Sequence, residues 1–557
     1  MNQRLGTLGR KVRELLPSRD DYAELPRTWR GDIFAGLTIG IVALPLALAF
    51  GVSSGVGAAA GLVTAVVAGL VAAIFGGSHV QVSGPTGAMV VVLAPIVASH
   101  GVGSMALVSL MAGVLVLLLG LSGLGRAVAF IPWPVVEGFT LGIAVIIFLQ
   151  QVPLATGTEA EPGVNAAVAA WLSASSSQWP TVGLTLAVVA SVVAMMVLVP
   201  RIHKALPASL IAVIVATVVA EVAAMDIPRI GALPSALPAP AFPTVSLDLL
   251  TQLSGPAFAV ALLAAIESLL SARVASGMQG PQGGTGPYQP DRELVGQGLA
   301  SVAAGMFGGM PATGAIARTA VNVRSGGRTR LSSVVHALLL LVVVYAGSSL
   351  VGRIPLAALA GVLMVTASRM VSASTARAIL RASRTSALLF VVTAFVTVAF
   401  DLIQAIQIGV LAAAFFALRA VAKISGVTRE TLPGEPVEGD DRIALFRLEG
   451  SMFFGAADRI MTEISSVRDV EVVILRMSHL KLLDATGAHA LVEIIEALEA
   501  RGITVLVKGV QPRHLRMVSR VGVVKALRHH KHLFDELGPA VEHARSHVRR
   551  HAGRGAS

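Results

Sequence analysis

Apolar runs long enough to cross a membrane recur through the first 420 residues of the chain and then stop. They fall at roughly 31–51, 57–76, 84–99, 103–123, 127–150, 181–199, 206–225, 251–275, 292–309, 313–323, 332–351, 354–370, 386–402 and 404–421. A helix crossing a ~30 Å hydrocarbon core needs about 20 such residues. The third and tenth runs are shorter, as half-helices would be. Each begins in a stretch too rich in Gly and Pro to start as regular helix: Ser83-Gly84-Pro85-Thr86-Gly87-Ala88 and Met310-Pro311-Ala312-Thr313-Gly314-Ala315. The thirteenth and fourteenth crowd around Asp401 and read as further partial spans.

Loop charge orients the series. With the N-terminus inside, the even-numbered loops carry Arg126, then Arg201 and Lys204, then Arg324, Arg328 and Arg330, then Arg369, Arg377, Arg381 and Arg384. The odd-numbered loops carry only Arg229 and Arg353, and the long 151–180 loop holds Glu159 and Glu161 without Lys or Arg. Cytoplasmic loops collect Lys and Arg, so fourteen spans place both termini in the cytoplasm. The halves, 31–225 and 251–421, then carry seven spans each, and an odd number per repeat inverts the second copy. The triplets beginning at Thr86 and Thr313 become counterparts approaching the midplane from opposite sides. Interrupted segments at matching places in two halves mark the substrate site of an inverted-repeat transporter. Helix N-termini present free N–H groups and partial positive charge, which suits an anion.

Composition fixes the class. The chain is 54% hydrophobic and 13% charged, against about 25% charged in soluble domains, and its mean hydropathy is +0.77. The net charge of +11 gathers at the termini and in short loops, a topology signal that argues against nucleic acid. The absence of cysteine excludes disulfides, thiolate metal sites and cysteine nucleophiles. The polar N-terminus (Arg4, Arg10, Lys11, Arg13, Arg19) precedes the first apolar run by some thirty residues, so it reads as no cleavable signal. No cofactor or metal is assigned.

Beyond about residue 435 the pattern changes to alternating strands and helices: strands at 442–448, 471–477 and 503–508, helices at 456–467, 488–501 and 512–521. That is a small soluble α/β domain. The expected layout is a cytoplasmic segment 1–30, a transport domain 31–421, a linker 422–437, the α/β domain 438–540 and a basic disordered tail 541–557.

Three blocks carry a resemblance to the sulfate permease (SulP) family, relatives of the solute carriers that include prestin and pendrin. Gly36-Leu37-Thr38-Ile39-Gly40-Ile41-Val42-Ala43-Leu44-Pro45 resembles its first span, Val82-Ser83-Gly84-Pro85-Thr86-Gly87 its third, and Pro134-Val135-Val136-Glu137-Gly138-Phe139-Thr140-Leu141-Gly142 its fifth. The end of the chain resembles a STAS domain, with Leu482-Leu483-Asp484-Ala485-Thr486-Gly487 in the place of its phosphorylation loop. The resemblance implies an all-α, fourteen-span, 7+7 inverted repeat with a uracil-permease-like core (spans 1–4 and 8–11) and gate (5–7 and 12–14). It also implies a homodimer.

The two half-helix starts supply the substrate-binding candidates Thr86, Gly87, Ala88, Gly314, Ala315, Ile316, Ala317 and Arg318. A charge at the depth of Arg318 costs about 2.5–3.5 kcal/mol and points to function; the bland reading is snorkelling or a carboxylate pair. In the family a basic residue here adds positive potential to the anion site. Glu267, flanked by apolar residues in the eighth span, must be protonated, paired or facing water. It reads either as a salt bridge to Arg318 or as a coupling-ion site, with Ser271 one turn on. In the family a Glu here suggests protons, whereas Asp with a following hydroxyl goes with sodium. From the first span Ala43, Leu46 and Phe50 join the candidate pocket, although Leu46 stands where relatives often place Gln. His336 is expected to be a satisfied core residue, and Glu137 and Glu221 span-end or gate residues. Asp484 and Thr486 are regulatory candidates, with helix capping the preferred reading.

The resulting expectation is a secondary active anion transporter of the cytoplasmic membrane, sulfate-directed and proton-coupled, working by elevator-like movement. Its partners would be the anion, the coupling proton or sodium, membrane lipid, a second copy and a possible cytoplasmic partner of the STAS domain. Rivals are a bicarbonate or C4-dicarboxylate (fumarate) carrier, an exchanger, an uncoupled anion channel, and a signalling scaffold acting through the STAS domain.

Overall fold

The computed structural model describes residues 15–126, 132–158, 164–203, 206–243, 245–281, 283–399, 426–452 and 469–555, with isolated positions at 408, 411–412, 415–416 and 464. The chain divides into two compact units, Met1–Val410 and Leu411–Ser557.

In the first unit, thirteen of the fourteen expected spans contain a helix. The first seven of these are α1 (Leu25–Ser53), α2 (Ala58–Phe75), α3 (Gly87–His100), α4 (Met105–Leu121), α5 (Trp133–Gln150), α7 (Thr181–Ile202) and α8 (Ala208–Val222). The second half supplies α9 (Leu247–Ser276), α10 (Pro290–Met306), α11 (Ile316–Arg324), α12 (Arg330–Val351), α13 (Leu356–Met370) and α15 (Arg384–Ala399). The fourteenth run and Asp401 lie outside the described residues, as do Glu159, Glu161 and Lys204. Eight helical segments among the described residues are long and apolar enough to cross a membrane. Side chains such as Phe34, Leu118, Ile202, Val222 and Phe395 stand more than half exposed on their surfaces, as a lipid-facing surface requires.

Three short helices were not expected, the shortest being Val152–Thr156. The 151–180 loop contains α6 (Ala166–Ser176), started by Asn165, whose side chain accepts from the Ala167 N–H at 2.9 Å. The third, α14 (Ala373–Ala382), follows α13.

Packing divides the helices as the resemblance implied. Helix α10 lies against α4 and α2, and α12 against α1 and α2, which makes one group. Helix α5 lies against α15 and α13, and α7 against α13 and α8, which makes the other. Shorter contacts of α13 with α1 and of α3 with α5 join the groups.

A buried ionic lock ties the segment before α1 to the first group. Asp21 receives two hydrogen bonds from Arg292 on α10, at 2.9 and 2.6 Å, and lies 3.5 Å from Arg330 on α12. A second carboxylate, Asp32, accepts from the Arg328 and Thr329 N–H groups and the Thr329 hydroxyl at 2.7–2.9 Å, so it braces the turn that enters α12, whose own N-cap is Thr329.

The second unit carries a five-stranded sheet in the order β5–β6–β7–β8–β9, with β5 (Gly426–Glu430) antiparallel to β6 (Ile443–Met452). Strands β7 (Val472–Leu483), β8 (Thr504–Lys508) and β9 (Leu533–Phe534) continue in parallel. Alternate residues of β7 face opposite sides. Val473, Leu475 and Met477 pack with α16 (Ala485–Ala500) and α17 (Pro512–Val521) through Leu491, Ile494, Leu498 and Val518. Val472 and Ile474 pack with Ala540, Val541, Ala544 and Val548 of α18 (Leu537–Gly555).

Two expected boundaries are corrected here. The linker 422–437 contains β5, because Gly426–Glu430 pairs along β6. The tail 541–557, expected to be disordered, is helical through Gly555, because its apolar positions recur on one face and cover the sheet. The expected helix 456–467 lies outside the described residues apart from Ile464.

Candidate anion site

The two interrupted segments meet. Ser83–Gly84 forms β1 and Thr313–Gly314 forms β4, paired antiparallel with Ser83 opposite Gly314 and Gly84 opposite Thr313. Helix α3 starts immediately after β1 with Thr86 as its N-cap, and α11 starts after β4 with Ala315 as its N-cap. With 14 and 9 residues, at 1.5 Å each, neither helix can span a bilayer. Both begin at the crossing, and the shared two-stranded ladder satisfies the backbone that each broken helix leaves open.

Two glycines make that crossing possible. Gly84 sits at φ +149°, and a Cβ there would lie 2.9 Å from Arg318 Nη1 and 3.4 Å from the Ala65 backbone. A Cβ on Gly314 would come within 1.6 Å of Gln81 Nε2, which donates to the Ser268 carbonyl at 3.2 Å. Gly314→Ala is therefore expected to expel Gln81 and break that bond, at a cost of about 1–3 kcal/mol typical of an overpacked core. A melting curve of the detergent-purified variant matching wild type would refute this.

Glu267 on α9 joins both half-helices. Its Oε2 accepts from the Thr86 hydroxyl at 2.9 Å and from the Thr313 hydroxyl at 2.8 Å. The hydroxyl oxygens lie 3.1 Å apart. Ser268, the next residue, receives the Gly314 N–H on its side chain at 3.0 Å. One turn of α9 thus reads both halves of the repeat.

Arg318 lies under the crossing rather than against Glu267. It is buried and donates to the Pro85 carbonyl at 2.6 Å, fixing the turn between β1 and α3. Its Nη1 is enclosed and has no hydrogen-bond partner among the described residues. The salt bridge to Glu267, the alternative to a coupling-ion site, is absent from the ion pairs of the described residues. Arg318 therefore contributes fixed positive charge beneath the two N-termini.

A cleft of about 670 Å³ opens beside this assembly. It is lined on one side by Ala88, Ile266, Glu267, Leu270 and Ile316, and on the other by Val135, Phe139, Thr140, Met370 and Thr393. The first set belongs to α3, α9 and α11, the second to α5, α13 and α15, so the cleft runs between the two helix groups. Of the sequence candidates, Ala88, Ile316 and Glu267 line it. Thr86, Gly87, Gly314 and Ala315 are buried behind them at the helix starts. Ala317 is exposed. Phe50 is buried beside Gly87, whose added Cβ would lie 3.4 Å from its ring. Ala43 is fully buried and Leu46 packs against the apolar core, and neither lines the cleft.

Two further candidates, Ser271 and His336, take different places from those expected. Ser271 is buried, and its hydroxyl donates to Thr319 at 3.3 Å rather than to Glu267. His336, expected to be satisfied, is buried with neither ring nitrogen hydrogen-bonded among the described residues. Glu221 pairs with Arg229, while Glu137 accepts from the Trp133 indole at 3.0 Å. In the second unit Asp484 caps α16 by accepting from the Gly487 N–H at 2.7 Å, and Thr486 is exposed in the first turn.

The sulfate permease family matches residues 29–393, which include both half-helices and the whole cleft. The chain belongs to that family. Residues 436–540 match the STAS domain. A Bacillus subtilis protein, YvdB, named provisionally as a sulfate transporter, is 33% identical over 90% of this chain and 96% of its own length. The bicarbonate transporter BicA of Synechocystis is 32% identical over 90% of this chain and 91% of its own. Among solved structures, the murine Slc26a9 anion transporter in its inward-facing state matches with a TM-score of 0.84. That match is at 16% identity and covers 96% of this chain and 95% of that one. This member of the sulfate permease family is therefore a multi-pass membrane anion transporter with a C-terminal STAS domain, and not an enzyme.

The candidate site contains polar groups that the sequence did not single out. Thr313 was legible as the mate of Thr86 by repeat position. Ser268 and Gln81 carried no signal, since a lone polar residue in an apolar run looks the same whether it braces a backbone or binds a ligand.

Proposed function

We propose that the chain is a secondary active transporter that carries a small anion, sulfate first, across the cytoplasmic membrane in symport with protons, by movement of the core helices against the gate. The observation that carries this reading is Glu267: a carboxylate held by hydroxyls from both half-helix starts and lining the cleft between the two helix groups. A carboxyl that faces the cleft can exchange a proton with it. The charge of the site then changes by one in step with the anion bound at the adjacent N-termini. Bringing a divalent anion against a negative interior costs about 2.3 kcal/mol per charge per 100 mV, so accumulation needs a co-imported cation or an exchanged anion. Both termini would lie in the cytoplasm and two chains would form a dimer.

Two observations favour second readings. The relatives named above divide between sulfate and bicarbonate at nearly equal identity, and N–H groups recognise charge and size rather than one oxyanion. The Thr86 and Thr313 hydroxyls beside Glu267 also form an oxygen set suited to sodium, although Ser271 is turned away from it. Proteoliposome uptake of sulfate, bicarbonate and fumarate under imposed pH or sodium gradients separates these. Sulfate accumulation driven by a pH gradient alone is the expected result. Accumulation driven only by sodium, or uptake of bicarbonate without sulfate, would overturn the corresponding assignment.

A further inference from the structure

Three histidines of the second unit converge on one another. His532 ends a single helical turn just before β9, and His543 and His547 lie four residues apart on α18. That spacing puts the last two on one face. The helix cannot rotate away, because Ala540, Val541, Ala544 and Val548 are buried against the sheet. One ring nitrogen from each histidine lies within 4.8 Å of the others. The Nε2 atoms of His543 and His547 are 3.3 Å apart, and ring centroids are separated by 4.9–5.5 Å.

We infer that His532, His543 and His547 form a binding site for a divalent transition-metal ion, zinc foremost. At a Zn–N distance of about 2.0–2.1 Å, two ligands on a tetrahedral ion sit about 3.3 Å apart, the separation found between His543 and His547. His532 is 4% exposed, and its Nδ1 is buried with no hydrogen-bond partner among the described residues. An unpartnered polar atom at that depth costs free energy that coordination would recover.

Imidazole nitrogens without thiolates select zinc, copper or nickel over magnesium and calcium. Three protein ligands leave one tetrahedral position for water or another group, so the site is exchangeable rather than closed. It lies outside the residues that carry transport and gives the STAS domain a metal-responsive element.

The test uses full-length, metal-stripped protein in detergent, titrated with zinc against a chromogenic chelator. One equivalent per chain is expected, with affinity at least about tenfold weaker in H543Q and H547Q. The control H489Q, at an exposed position on α16, should match wild type. Cobalt supplies a readout on the unmutated chain, in which strong visible d–d absorption marks a four-coordinate site. Absence of stoichiometric binding, an octahedral cobalt spectrum, or unchanged affinity in the triple variant H532Q/H543Q/H547Q would overturn the assignment.

Discussion

Glu267→Gln is expected to abolish gradient-driven anion accumulation in proteoliposomes while leaving anion exchange active. The amide keeps the size of the side chain and a carbonyl oxygen that still accepts from Thr86 and Thr313. It removes the only feature a coupling role requires, an exchangeable proton. At zero membrane potential a pH gradient of one unit supplies about 1.4 kcal/mol per proton, a roughly tenfold accumulation ratio, and that ratio should fall to the no-gradient level. Labelled-sulfate uptake with and without a pH gradient, beside counterflow at equal pH, separates the two activities. A variant that still accumulates sulfate would remove Glu267 from coupling. Glu267→Ala would be a poorer test, since it strands two buried hydroxyls at about 1–3 kcal/mol each and conflates coupling with folding.

Asp21→Asn is expected to lower stability by about 3–5 kcal/mol, the range for removing one partner of a buried ion pair. Arg292 and Arg330 are 3% and 1% exposed and would keep their charge without a counter-ion. The same carboxylate gives the protein an acid limit. Burial pushes the Asp21 carboxyl up, but the Arg292 hydrogen bonds, the Ser18 N–H and the charges of Arg330 and Arg292 outweigh it and hold it at about 2. Because the folded carboxyl releases its proton more readily than the unfolded one, its contribution is complete above about pH 4. It disappears as the pH falls through about 2, and near neutrality it amounts to roughly 2 kcal/mol. The gap between the melting curves of wild type and variant should therefore narrow by about that amount from pH 6 down into acid. Curves offset equally at every pH would show that the lock works by shape rather than charge.

How far the sequence could be read depended on whether a feature is periodic or pairwise. The spans follow from runs of apolar residues, and the inverted repeat follows from loop arginines together with two Thr-Gly-Ala triplets. Both signals repeat and therefore stand out from a single chain. The contacts of Glu267 were not legible. A Glu in an apolar helix predicts that some partner exists, and the nearest charge by sequence logic was Arg318. The partners are instead two hydroxyls, one from each half of the chain, and Arg318 turns to a carbonyl. Ser271 shows the converse error. One helical turn places it near Glu267 along the helix, but Thr319 on α11 takes its hydroxyl. The tail misled through composition, because its many Arg and His residues masked Val541, Ala544 and Val548, the three apolar positions that bind it to the sheet.

The sequence by itself determined that this chain is a helical membrane transport domain followed by a STAS domain. Hydropathy, loop charge and Gly/Pro breaks are local properties, and the bilayer converts them directly into architecture. Only the tertiary structure decided which polar groups meet at the crossing. It placed Thr86 and Thr313 on one carboxylate of a third helix, opened the cleft between the two helix groups, and drew three histidines together at the far end of the chain. Those meetings join residues up to 227 positions apart, and no local propensity specifies a contact at that range. The packing that brings the two broken helices end to end does.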